Sequence, residues 1–255
     1  MKSRSRKRAS VLTALAFALV APATADEAVR AAVEKRIQEV KLDAASAVRV
    51  DSRGDEVILT GSVTSLSARR AIVKQARKQA KQVRDELRVV PEAPVSDAEL
   101  VAAVRSAILR YPRDTIFDYV EFAVKDGGVL LQGSVLHPWK KDEIEDRVAR
   151  VAGVREIRND VAVQSVSFYD SELRLALARR IFGDVRFVHY AHRAHPPIRI
   201  LVDRGRITLA GAVASPVEQA ILGHIARGML SFGVDNRLVV DGDPPKADRK
   251  GAKTS

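Results

Sequence analysis

The chain has no cysteine, one tryptophan and two methionines in 255 residues. Without cysteine there is no disulfide, no thiolate nucleophile, no thiolate metal ligand and no lipid attached through a cysteine. An oxidising destination permits disulfides without requiring them, so their absence leaves export open. Aromatic residues make up only 5% of the chain, which leaves no aromatic-basic platform for stacking unpaired bases. The sequence also lacks GxGxxG, GxxxxGK and HExxH, and it has no nucleophile elbow or recognisable Ser-His-Asp order. These absences weigh against catalysis, nucleotide binding and nucleic-acid binding, and in favour of a binding or adaptor role.

The first 25 residues read as a leader rather than as part of a fold. Lys2, Arg4, Arg6, Lys7 and Arg8 form a basic start without an acid. An apolar run from Ala9 to Val20 follows, then Ala21-Pro22-Ala23-Thr24-Ala25. This is the pattern of a secretory signal peptide, with Ala23 and Ala25 at the small-residue positions before cleavage. The run is short for a membrane span, which sets the rival reading of an uncleaved anchor behind export. No second apolar segment of this kind follows. The expected destination is the periplasm of a Gram-negative cell, with the extracellular space as the alternative. Removing the five basic residues of the leader from the +11 of the whole chain leaves about +6. The tail 242–255 is rich in Pro, Lys and Asp and has little to bury, so disorder is expected there.

Between leader and tail a pattern occurs three times. Gly61, Gly133 and Gly211 stand in VILTGSV, VLLQGSV and ITLAGAV, at separations of 72 and 78 residues. A repeat on this scale fixes the architecture before any motif is considered. Upstream, Val29, Val33 and Ile37, then Leu100, Val104 and Ile108, then Leu173, Leu177 and Ile181 recur at i, i+4, i+8. Each trio lies on one helix face. Ser96 and Glu99 form a capping box, and Asp170 is a candidate cap for the third copy. Pairs of short strands follow, turning at Ser52-Arg53-Gly54-Asp55, Lys125-Asp126-Gly127-Gly128 and Asp203-Arg204-Gly205-Arg206. Second helices are expected over 65–78, 138–151 and 216–228. A last strand carries a polar residue at an apolar position: Asp85, Asn159 and Asn236. A buried amide or carboxylate needs partners, so these residues are expected to tie a loop or strand edge. The three glycines are expected to permit close backbone approach or a bulge. The fold class is thus α+β, with three tandem αββαβ modules, each of two helices packed on a small three-stranded sheet. The modules span 27–90, 97–165 and 170–240. Pro91–Val95 and 164–169 are read as short linkers, with Phe168 and Tyr169 in the second.

With these elements in place the chain resembles the BON-domain proteins, the bacterial osmotically inducible and nodulation type, in three copies. The resemblance rests on 57–63, 129–135 and 207–213 and on the helix after each. It is supported by Gly153-Val154 ahead of Ile157-x-Asn159-x-Val161. It implies the αββαβ module, an envelope-associated location, phospholipid binding and a part in envelope maintenance or osmotic-stress tolerance. The first and third copies depart from it, with Gln79-Ala80 and Leu230-Ser231 in place of Gly-Val. The first copy has Asp85 where the others have asparagine, and the third carries an insertion from Tyr190 to Pro197.

The candidate lipid-binding residues are Arg69, Arg70, Lys74, Arg77, Lys78 and Lys81, a basic cluster in and after the second helix of the first module. Trp139, at a helix start, and Phe168-Tyr169 are candidates for apolar insertion. The expected partner is an anionic phospholipid surface, each nearby Lys or Arg contributing on the order of 1 kcal/mol. The alternative is another envelope protein, met by module surfaces or sheet edges. His189, His192 and His195 in HYAHRAH are weak metal candidates; a solvated loop is the favoured reading, and no cofactor is expected. Asp142, Glu143, Glu145 and Asp146 share a helix with Lys and Arg and read as a solvated face.

Overall fold

The structure, a computed structural model, describes residues 25–241 except 41, 55, 166 and 194. The leader, apart from Ala25, and the tail 242–255 lie outside the described residues.

Three modules follow one another. The first is α1 (Ala25–Gln38), β1 (Ala47–Arg53), β2 (Glu56–Val63), α2 (Leu66–Ala76) and β3 (Gln82–Val89). The second is α3 (Asp97–Leu109), β4 (Tyr119–Lys125), β5 (Gly128–Val135), α4 (Pro138–Ala149), β6 (Glu156–Asn159) and β7 (Ala162–Val163). The third is α5 (Phe168–Phe182), α6 (Val188–Ala191), β8 (Ile198–Asp203), β9 (Arg206–Val213), α7 (Pro216–Arg227), β10 (Gly233–Asn236) and β11 (Val239–Val240).

The glycine-bearing strand is central in every module. It pairs antiparallel with its hairpin partner and parallel with the last strand, because a helix crosses over between the two. The last strand is continuous in the first module but interrupted after Asn159 and after Asn236. The register survives the break: Leu131 faces Asn159 and Ser134 faces Ala162.

Each module has its own core, and the helix trios supply one wall of it. Val33 and Ile37 pack with Val57, Leu59, Val63, Ile72 and Leu87. Leu100 and Val104 pack with Val129, Leu131, Ile144 and Val148, and all three of Leu173, Leu177 and Ile181 with Ile207, Leu209 and Leu222. Val29 and Ile108, at trio ends, are only partly buried. Tyr190, which opens the insertion of the third module, belongs to its interior together with Phe187 just ahead of it, whereas residues 191–193 and 195 are exposed.

Hairpin turns are two residues long. In the second and third modules both turn residues have positive φ, Asp126 and Gly127 at 52° and 78°, Arg204 and Gly205 at 50° and 71°. This geometry matches the twist of the flanking strands. Gly61, Gly133 and Gly211 have φ of 116°, 115° and 98°. A Cβ on them would fall 2.0, 2.1 and 1.8 Å from the carbonyl oxygens of Ala47, Tyr119 and Pro197. The hairpin partner passes so close over these positions that only glycine fits.

Helix starts follow the sequence closely. Ser65 and Ser215 cap α2 and α7, and Ser96 and Glu99 form the capping box of α3. The cap of α5 is Ser167, whose hydroxyl accepts from the Asp170 N–H, so Asp170 is not the cap. Phe168 and Tyr169 open α5 rather than sitting in a linker.

The junctions are built structures. Leu66 of α2 contributes to the second core. Ile200 of β8 donates its N–H to the carbonyl of Ile116 at 2.8 Å, so the loop before β4 covers the outer edge of β8. Beside it Arg199 clasps Asp114 with two bonds of 3.0 and 2.9 Å. Gln164, 3% exposed, donates to the Phe117 carbonyl and accepts from Val202 N–H and from Arg174.

Candidate functional site

The basic cluster of the first module divides into two groups. Arg69 Nε is 2.9 Å from Asp85 Oδ2, and Arg70 pairs with Glu145 and, at 3.6 Å, with Asp146 of the second module. These two arginines are half-buried and spend their charge on holding the fold. Lys74, Arg77 and Lys78 are exposed and make no ion pair with a described residue. Lys81 is exposed and already has an interaction of its own. The part of the cluster open to an anionic partner is therefore the outer end of α2 and the turn after it.

Trp139 is 43% exposed and not a bare apolar tip. His137 stacks on it with centroids 5.5 Å apart, and Arg113 and Lys140 lie 5.4 and 5.6 Å from its ring. Lys140 is itself buried, paired with Asp118. Three of the acids on α4, Glu143, Glu145 and Asp146, have partners too. Glu143 accepts from the Tyr111 hydroxyl at 2.8 Å and from Arg113. Those two bonds, Tyr111 first, hold its carboxyl below the usual range.

The polar residue of the last strand does the same work in all three modules. Its Oδ1 accepts from the N–H two residues on, at 3.1 Å in Asp85, 3.2 Å in Asn159 and 3.3 Å in Asn236. The second side-chain atom reaches the second helix. Asn159 Nδ2 donates to the Lys141 carbonyl at 3.2 Å and Asn236 Nδ2 to the Gln219 carbonyl at 2.8 Å. Asp85 has no donor, and at the corresponding helical position Arg69 supplies one instead. The carboxylate of the first copy is thus matched by a guanidinium, and its role is to pin helix to strand.

A second recurrent acid has a role that the sequence does not show: Asp170 reads there only as a candidate cap, and Asp97 is not singled out. Asp97 and Asp170 occupy corresponding places at the start of the first helix. Asp97 accepts the turn N–H groups of Asp126 and Gly127 at 2.8 and 3.1 Å. Asp170 accepts those of Arg204 and Gly205 at 3.1 and 2.7 Å. Burial pushes the Asp170 carboxyl up, but bonds from the Ser165 hydroxyl, Gly205 and Arg204 outweigh it and hold it below its ordinary value. The legible signal was their equal distance from the apolar trio.

His189, His192 and His195 are exposed, with His189 against the Tyr190 ring and His195 Nδ1 3.6 Å from Asp114. Among the described residues no group of three or more His, Cys, Asp or Glu side chains is placed to hold a metal ion. Nor is any helix among them long and apolar enough to cross a membrane.

An apolar surface at one end of the third module was read only in part. Phe168 and Tyr169 are exposed there as expected candidates, but Leu230 and Phe232, in the loop after α7, join them.

Among solved structures the chain is similar to two of CdsD, a structural protein of the type III secretion system of Chlamydia trachomatis. One matches at 13% identity, covering 82% of this chain and 90% of that one, with a TM-score of 0.23. The other, its C-terminal domain, matches at 12% identity over 82% of this chain and 96% of that one, also with a TM-score of 0.23. No curated protein matches the chain. Residues 25–91 and 96–165, the first two modules, each match the BON domain, and the third module repeats their architecture. The chain belongs to the BON-domain family.

Proposed function

We propose that this protein is a non-catalytic, exported envelope protein that binds anionic phospholipid surfaces from the periplasmic side and supports envelope integrity under osmotic stress. The observation that carries the reading is the outer end of α2, where Lys74, Arg77 and Lys78 stand exposed without a described carboxylate partner. Three such cations close to an anionic bilayer contribute on the order of 3 kcal/mol at physiological ionic strength, enough for reversible peripheral contact. Family membership supports the same direction, and the leader supplies the route of export.

The test is co-sedimentation of residues 26–255 with vesicles of phosphatidylglycerol in phosphatidylcholine, against phosphatidylcholine alone, over a salt titration. The informative variant is K74Q/R77Q/K78Q, which leaves the Arg69–Asp85 and Arg70–Glu145 pairs intact. Selective, salt-sensitive binding that drops at least tenfold in the variant is the expected result. Equal binding to both vesicle types refutes the electrostatic reading.

One observation favours the alternative, a scaffold for another envelope protein. The outer edges of β1 and β4 make no backbone bond to another element among the described residues, whereas that of β8 is taken by Ile116. An extended segment of a partner can add to such an edge. Binding to an envelope protein that persists in high salt and is lost when proline replaces an edge residue of β4 would favour this reading.

A further inference from the structure

We infer that the third module carries an apolar membrane anchor, formed by Phe168, Leu230 and Phe232, that inserts between the headgroups of an anionic bilayer. The inference rests on the lipid reading above but concerns a separate surface, some 90 to 160 residues along the chain from the basic end of α2.

Phe168, Leu230 and Phe232 are 84%, 83% and 77% exposed, among the most exposed large apolar side chains described. They come from two segments, the start of α5 and the loop between α7 and β10. Tyr169 joins the segments, donating its hydroxyl to the Leu230 carbonyl and stacking on Phe232 with centroids 6.2 Å apart. Phe232 donates its N–H to the Gly205 carbonyl at 2.8 Å. Its ring lies so close over Gly205 that an added Cβ would sit 2.6 Å from it. The side chains are therefore presented by a braced backbone, not a loose loop, and little ordering remains to be done on insertion.

Two cations frame the surface. Arg204 and Arg206 flank Gly205, are exposed, and make no ion pair with a described residue. The Arg206 guanidinium lies over Gly233, next to Phe232. Apolar tips with arginine at their base match an interface whose depth is apolar and whose surface is anionic. Protein interfaces of standard size use roughly 20–30 residues a side, and these few fall well short.

The test uses Phe232→Trp in a Trp139→Phe background, so that one indole reports. It is titrated with phosphatidylglycerol-containing vesicles whose acyl chains are brominated. Quenching of Trp fluorescence on binding, together with at least tenfold weaker vesicle affinity in F168S/L230S/F232S, is the expected result. Circular dichroism checks that both variants remain folded. Vesicle binding without quenching, and undiminished in the serine variant, overturns the anchor while leaving the α2 reading intact. No vesicle binding by the unmodified protein overturns both. A self-associated species in sedimentation that the serine variant abolishes assigns the surface to a second copy and overturns the anchor.

Discussion

Replacing Gly133 by alanine tests the geometry that all three modules share. A Cβ there would lie 2.1 Å from the Tyr119 carbonyl oxygen and 3.1 Å from its carbon, both backbone atoms of the paired strand. Real Cβ contacts essentially never fall below 3.0 Å, so β4 and β5 must part by about 1 Å. That movement disrupts one or two ladder hydrogen bonds, at about 1 kcal/mol each. Holding alanine at a φ of 115° adds about 1–3 kcal/mol of backbone strain. The expected cost is about 2–5 kcal/mol, a large share of the stability of one module. Trp139 lies in the same module and is the lone tryptophan, so urea unfolding followed by its fluorescence reports from this module. The control is Gly127→Ala, where φ is 78° but the nearest atoms belong to the flexible Arg155 side chain. It is expected to cost about 1–2 kcal/mol, the left-handed penalty alone. G133A within 1 kcal/mol of the parent, or G127A costing as much as G133A, would refute the close-approach argument.

The helix-to-strand tie predicts an asymmetry: D85N is tolerated within about 1 kcal/mol because its amide can donate to the helix, while N159D costs about 1–3 kcal/mol. The latter sets a carboxylate against the Lys141 carbonyl and Glu145, to which Asn159 now donates at 2.7 Å, and urea midpoints compare the two. Asp170 has a lowered folded-state pKa, so its stabilisation is complete above its unfolded value near 3.9 and is lost as pH falls through the lower folded value. D170N is therefore less stable than the parent at pH 7, and the difference narrows under acid, as thermal unfolding from pH 7 to pH 2 should show. Arg199→Ala removes the clasp on Asp114 and is expected to cost about 1.5–3 kcal/mol and to speed proteolysis within 112–118. Unchanged cleavage there would mean that the Ile200–Ile116 bond and the Gln164 network hold the junction alone.

What the sequence showed was whatever repeats locally. The helix trios, the places of the hairpin turns and the central glycines each follow from spacing within a few residues, and three copies made that spacing unmistakable. Partners distant in the chain were not legible. Arg69 and Arg70 read as free charge because their carboxylates lie 16 and 75 residues away. The Asp97 and Asp170 turn clasps span 30 and 35 residues, so Asp170 reads only as a cap and Asp97 not at all. Leu230 and Phe232 lie in a loop without periodicity, and only the fold brings them beside Tyr169. The interruption after Asn159 and Asn236 was hidden because the register continues through it.

Because the chain lacks cysteine, a single introduced thiol can carry an environment-sensitive dye without background. Gln79→Cys places it at the exposed end of the basic face, and Ala123→Cys, on β4, serves as the comparison. The labelled proteins are titrated with phosphatidylglycerol vesicles at low and high salt. The account predicts a blue shift at position 79 that high salt abolishes, and a smaller change or none at position 123. An unchanged dye at position 79 while the protein is bound to the vesicles would contradict it.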